Sequence, residues 1–334
     1  MIKHYYKKII SLIFTILVIW IVIWLYQADF GHGKTIDYGV SFSQKYATEM
    51  NLNWQEVYLA ILDELKVKKI RLAAHWDLIE LQKDYYDFSD LDWQISQAQS
   101  HGAQVILAIG HRVPRWPECH WPDWSFTLTK EKRQEQVKKL LTKIVNRYKD
   151  NQIIAAWQVE NEPYLKVFGE CPKPDKAFYK KELELVRLLD DRPIVITESG
   201  ELSTWLRAAK LADYVGASVY RITWNKHFGY FYYPLPPAYY YLKAQIVKAI
   251  TSVKDIMVSE MQMEPWLGMP VLLTPLNEQY HSMDLPRFRK NLHYIQRAGL
   301  SPVYFWGAEW WYWLKEQGDS SIWESAKTIW RQTR

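Results

Sequence analysis

The chain has 334 residues, of which 49% are hydrophobic and 24% charged, so disorder, collagen and low-complexity fibres are excluded. Two cysteines are too few for a disulfide-rich scaffold, a four-cysteine zinc site or an iron–sulfur cluster. Of the 42 basic side chains behind the net charge of +5, Lys3, Lys7 and Lys8 precede the first acid; the rest nearly balance 37 acidic ones, so nothing draws the chain to nucleic acid.

The unusual count is aromatic: 18 Trp, 23 Tyr and 11 Phe. That is more than a core needs, and it points to a ligand or a membrane.

Ile9 to Tyr26 reads IISLIFTILVIWIVIWLY, without a charge, and Gln27 and Ala28 extend the run. Residues 9–28 are expected to form a transmembrane helix, since about 20 residues at 1.5 Å each cross the hydrocarbon layer. A buried soluble helix and a cleaved signal peptide are the rivals. The run is longer than a usual signal core, and no small-residue cleavage pattern follows it. The lysines precede it, so residues 1–8 are expected in the cytoplasm and residues 29–334 outside, on a single-pass cell-membrane protein.

Short apolar, β-rich runs then alternate with amphipathic stretches. The candidate strands are Tyr38–Phe42, Lys69–Ala73, Gln104–Ile109, Ile154–Val159, Ile194–Thr197, Tyr214–Val219, Ile256–Ser259 and Pro302–Phe305. Helices are predicted over Thr129–Tyr148, Phe178–Leu189 and Pro286–Ala298, with a closing helix at Ser321–Trp330. Eight strand–helix units predict an α/β chain with a single (β/α)8 TIM barrel after the membrane helix. A doubly wound open sheet would favour a Gly-rich first turn, and none is present. Gly33-Lys34-Thr35 imitates the end of a phosphate-binding loop, but Ala28 stands where its first glycine belongs. The nine His show no metal-ligand spacing, so neither metal nor cofactor is expected.

In a barrel of this kind chemistry sits at the carboxyl ends of the strands. The fourth strand ends in Trp157-Gln158-Val159-Glu160-Asn161-Glu162-Pro163, the seventh in Val258-Ser259-Glu260-Met261-Gln262. Two carboxyls facing one pocket are the equipment of glycoside hydrolysis: one protonates the leaving oxygen, the other attacks the anomeric carbon.

With Asn161-Glu162-Pro163 on the fourth strand and Glu260 on the seventh, the chain from about Ile36 onward resembles the clan A glycoside hydrolases. These are retaining (β/α)8 glycosidases that include cellulases, xylanases and mannanases; no single family matches closely. The resemblance implies that Glu162 is the acid/base and Glu260 the nucleophile. It implies that Arg71 orients the nucleophile and that Asn161 binds the sugar 2-hydroxyl. Tyr220 would stand near the nucleophile, His111 would line the site, and Trp306 would lie under the sugar.

Glu264 shares the parity of Glu260 and is its rival, read as a sugar contact or a structural pair. Glu198 is read as a supporting residue, and Glu160 as the partner of a basic group. Aromatic clusters after the third, sixth and eighth strands, including Trp310, Trp311 and Trp313, are expected to face a glycan. Cys119 and Cys171 lie in neighbouring loops and form either a disulfide or two free thiols.

The expected function is hydrolysis of O-glycosyl bonds in a β-linked poly- or oligosaccharide outside the membrane. The alternatives are a transglycosylase that remodels envelope or exopolysaccharide glycans, and a non-catalytic glycan-binding barrel. The expected partners are a carbohydrate and the membrane, not nucleic acid; no feature fixes an oligomeric state.

Overall fold

The computed structural model describes residues 2–331, with side chains from residue 6 onward. Met1 of the expected cytoplasmic stretch and residues 332–334 of the expected catalytic domain lie outside the described residues.

A 26-residue helix, Ile2–Gln27, opens the chain. Its segment Tyr6–Gln27 has a mean hydropathy of 2.8 and no buried share, and is long and apolar enough to cross a membrane. The helix ends against the barrel. Tyr26 donates its hydroxyl to the Pro234 carbonyl at 2.7 Å, and Arg297 donates to the Ala28 carbonyl at 3.1 Å. Phe30 stacks on Tyr241 with ring centroids 4.1 Å apart.

The strands are β1 (Tyr38–Ser41), β2 (Lys69–Ala73), β3 (Gln104–Ile109), β4 (Ile154–Val159), β5 (Ile194–Ser199), β6 (Tyr214–Val219), β7 (Ile222–Asn225), β8 (Gly229–Tyr232), β9 (Asp255–Gln262) and β10 (Val303–Trp306). Eight of them close a barrel in the order β1-β10-β9-β6-β5-β4-β3-β2, every pair parallel. This is the expected TIM barrel. The unforeseen pair, β7 and β8, is an antiparallel hairpin in the loop after the sixth barrel strand.

Alternation along the strands divides the core in two. Val105, Leu107 and Ile109 of β3 face the surrounding helices, while Ile106 joins Ala156, Val195, Met257 and Tyr304 inside the barrel. The outer layer is clamped by amphipathic helices at Lys130–Tyr148, Lys176–Leu189 and Leu285–Ala298, each within a few residues of its predicted bounds. Their starts follow from capping oxygens on Thr129, Asp175 and Asp284 that accept backbone N–H groups. The last of them stops at Gly299, whose φ of 64° suits glycine, and a Cβ there would meet the Phe30 carbonyl at 2.3 Å.

One expectation fails on packing. Trp310, Trp311 and Trp313 lie on a helix, Ala308–Glu316, and are buried in the hydrophobic core. Trp310 donates to Gln279 at 2.7 Å, and Trp311 to the Met263 carbonyl at 2.7 Å. Helical spacing rolled these rings inward, so they do not face a ligand.

Candidate active site

The barrel mouth is organised around Arg71 on β2, which is 1% exposed. A buried guanidinium must have its donors answered, and here each of its three nitrogens finds an acceptor inside the barrel. Nε donates to Gln158 at 2.6 Å, Nη1 to Glu260 at 2.7 Å and Nη2 to Asn161 at 2.8 Å. Nη1 also reaches the Ser41 hydroxyl and the Ser259 carbonyl, each at 3.4 Å. Arg71 therefore joins the ends of β4 and β9.

Glu260 owes its direction to an irregularity. Along β6 and β9, Ala217 pairs with Val258 but Ser218 pairs with Glu260, so one extra residue is accommodated at Ser259. Such a bulge re-aims the side chain that follows it. The second Glu260 oxygen accepts the Tyr220 hydroxyl at 2.8 Å.

The end of β4 turns through two left-handed residues, Glu160 at φ 58° and Glu162 at φ 40°. Side chains other than glycine's rarely adopt this region, and strain of this kind collects at functional sites. Glu162 is held there by its N–H, which donates to the Thr197 hydroxyl at 2.8 Å, and by its carboxyl, which accepts from the Ser218 hydroxyl at 2.6 Å. Burial, and next the charge of Glu260, push the Glu162 carboxyl up to about 8. It is a group that holds its proton at neutral pH beside a second carboxyl.

Asn161 lies between them. Its oxygen accepts from Arg71, from Gln158 at 3.2 Å and from Thr197 at 3.0 Å. Its amide donates to Glu118 at 2.8 Å. Glu118 is a buried third carboxyl, pushed up to about 7 chiefly by desolvation. No sequence signal marks it: it comes from the loop after β3. The same is true of Gln158, Thr197 and Ser218, which are ordinary polar residues on strands until the barrel closes.

The remaining expected residues are placed differently. Trp306 ends β10, and the Arg115 guanidinium lies over its ring, 4.0 Å from the centroid, and over the ring of Tyr46, 3.8 Å from the centroid. Glu264 is ion-paired: both its oxygens accept from Arg115, which also donates to Glu309 at 3.1 Å. His111 contacts the carboxyl of Glu160 at 2.8 Å and stacks on Trp121 with centroids 4.3 Å apart. Glu198 bonds Ser203, outside the Arg71 network.

The loop carrying Arg115 and Glu118 is tied down by a disulfide, Cys119–Cys171, with Cα atoms 5.4 Å apart. An aromatic line leads from solvent to the site. Trp116, 53% exposed, meets Phe168 at 5.6 Å, Phe168 meets Trp266 at 5.4 Å, and Trp266 meets Tyr220 at 5.0 Å.

Comparison with known proteins bears on the fold. A family model described as beta-galactosidase, Glyco_hydro_42, matches residues 49–209, a stretch that holds Glu162 and ends before Glu260. Among solved structures, a GH10 endoxylanase retrieved from a sugarcane soil metagenome superposes with a TM-score of 0.57 at 13% identity, over 81% of this chain and 86% of that one. Xylanase 10B from Thermotoga petrophila RKU-1, in complex with xylobiose, gives 0.52 at 14%, over 81% and 82%. The beta-galactosidase of the Antarctic haloarchaeon Halorubrum lacusprofundi gives 0.53 at 14%, over 81% of this chain and 52% of that one. This chain thus spans about half the length of the haloarchaeal enzyme. No curated protein matches in sequence. At these identities the structures share the fold. The family match and the barrel together make the chain similar to the clan A glycoside hydrolases, with no single family close.

Proposed function

We propose that the chain is a membrane-anchored retaining glycosidase. Residues 9–28 anchor it, residues 1–8 lie in the cytoplasm, and the barrel of residues 29–334 faces outward onto a β-linked poly- or oligosaccharide. The observation that carries this reading is the buried carboxyl pair with unequal surroundings. Glu260 is gripped by Arg71 and Tyr220, while Glu162 keeps its proton.

The steps follow from that inequality. Glu162 gives its proton to the glycosidic oxygen as the bond to the anomeric carbon breaks. Glu260 attacks that carbon and forms a glycosyl-enzyme. Glu162, now a carboxylate, takes a proton from water, and the water oxygen displaces Glu260. Asn161 and the Trp116–Phe168–Trp266 line bind the sugar chain.

The test uses the full chain in detergent with 2-deoxy-2-fluoro β-glycosides of glucose, galactose, mannose and xylose. One of these is expected to label Glu260, as read by peptide mass spectrometry. No label from any of them, and no hydrolysis across a panel of β-glycans, removes the reading. Arg115 over Trp306 favours one second reading, a catalytically silent glycan-binding barrel. It predicts glycan binding that survives Glu260→Gln, with no labelling. For the anchor, the full chain should stay with membranes through alkaline carbonate extraction; release into the supernatant would rule the anchor out.

A further inference from the structure

We propose that His111, Glu160 and Glu182 form a binding site for one divalent transition-metal ion, outside the sugar pocket. They come from three elements: the loop after β3, the end of β4 and the helix Lys176–Leu189. One ligand atom from each lies within 4.8 Å of the others. Two of the three are carboxyls with almost no exposure, Glu160 at 2% and Glu182 at 1%. Two acidic groups so close and so dry need a cation or a shared proton between them.

Three observations favour the cation. Glu182 is buried, and no N–H or hydroxyl group donates to its Oε1; the neighbour it meets is the Glu160 carboxyl itself. The Nδ1 of His111 lies 2.8 Å from Glu160, so an imidazole nitrogen and a carboxylate oxygen already stand within ligand spacing of each other. Glu160 is already braced as ligating carboxylates are, since it accepts the backbone N–H groups of His111 at 3.1 Å and Arg112 at 2.6 Å.

The donor set selects the ion. One imidazole nitrogen and two carboxylate oxygens suit zinc, manganese or ferrous iron; calcium and magnesium prefer oxygen alone. Bonds of about 2.1 Å to a tetrahedral ion put ligand atoms about 3.4 Å apart, so binding widens the His111–Glu160 contact slightly. The three side chains line a cavity of about 310 Å³, roomy enough for waters to complete the coordination. The ion would lock the strained end of β4, two residues from Glu162.

The test uses the full chain in detergent, stripped with a chelator. Titration calorimetry with zinc chloride and with manganese chloride is expected to give one site per chain, with a raised melting temperature for the ion that binds. Glu182→Gln and His111→Asn should each weaken binding at least tenfold while near-ultraviolet circular dichroism stays native. On the wild type alone, cobalt(II) should develop visible absorption of a nitrogen–oxygen site. Failure of zinc, manganese and cobalt to bind the wild type overturns the proposal, and would leave a proton between the two carboxyls. Equal binding by natively folded variants overturns it too. Neither result touches the glycosidase reading, whose readout is the label on Glu260.

Discussion

The Arg115 guanidinium sits 4.0 Å from the centroid of Trp306, on the ring expected to carry a sugar. Its charge is answered by Glu264 and Glu309, both essentially buried. The platform at the end of β10 is therefore built from Tyr46, Arg115 and Trp306, bolted by two carboxyls. Removing the cation strands the carboxyls in a dry place. Arg115→Met is expected to lower stability by about 3–5 kcal/mol in denaturant titration, as for other broken buried pairs. A loss under about 1 kcal/mol would mean that the carboxyls repair themselves from other groups.

Catalysis should be lost on the alkaline side. In the proposed mechanism Glu162 enters the first step protonated, and its carboxyl is raised to about 8. The kcat/KM of the free enzyme is expected to fall above that pH. Glycosides whose leaving group needs no proton, such as dinitrophenyl glycosides, should lose this limb in the glycosylation step. An alkaline limb that persists unchanged with them would assign it to another group.

Much of this site is readable in the sequence, and the reason is geometric. β4 and β9 are apolar runs that end in carboxyls, and parallel strands in a closed barrel bring their carboxyl ends to one mouth. Arg71 is equally visible, because a lone arginine inside Ile70-Arg71-Leu72 must be paired. What the sequence hides is the loop after β3. Arg115 and Glu118 enter the mouth because the loop folds back over the barrel, and neither period nor spacing encodes that. The same blindness affects His111, Glu160 and Glu182, whose separations along the chain match no ligand motif. Trp310 and Trp311 mislead for the opposite reason: the eye sees a cluster after a catalytic strand, whereas helical periodicity buries it.

Glu118 makes stability depend on pH in a defined direction. Its carboxyl is raised from 4.5 to about 7 in the folded chain, mainly by desolvation. The folded state then binds more protons than the unfolded one between those values, so stability is full below pH 4.5 and declines as pH rises through 7. At about 1.4 kcal/mol per unit, the decline from this group is roughly 3 kcal/mol. Glu118→Gln, which keeps the shape and removes the titrating group, should make the fall of unfolding free energy between pH 5 and about 7 shallower, leaving the part that Glu162 contributes. A slope unaltered by the substitution would show that Glu118 does not titrate in that window.

The disulfide gives the last prediction, because it holds the loop that brings Arg115 and Glu118 to the mouth. Cys119 and Cys171 are separated by 52 residues, a span that contains β4 and the helix Lys130–Tyr148. Closing a loop of that length restricts the unfolded chain, and native bridges of this kind contribute about 2–4 kcal/mol. The double variant Cys119→Ser, Cys171→Ser should therefore unfold at lower denaturant, with most of the difference abolished when both proteins are compared under reducing conditions. The loop itself should keep its place in the folded variant, since Arg115 has Glu264 and Glu309, and Glu118 has Asn161. Limited chymotryptic cleavage at Phe126, 60% exposed in the same loop, distinguishes the two effects. Cleavage that rises only in step with global unfolding fits a bridge acting on the unfolded chain. Rapid cleavage under conditions where the barrel is intact would mean that the bridge, not the ion pairs, keeps the loop in the mouth.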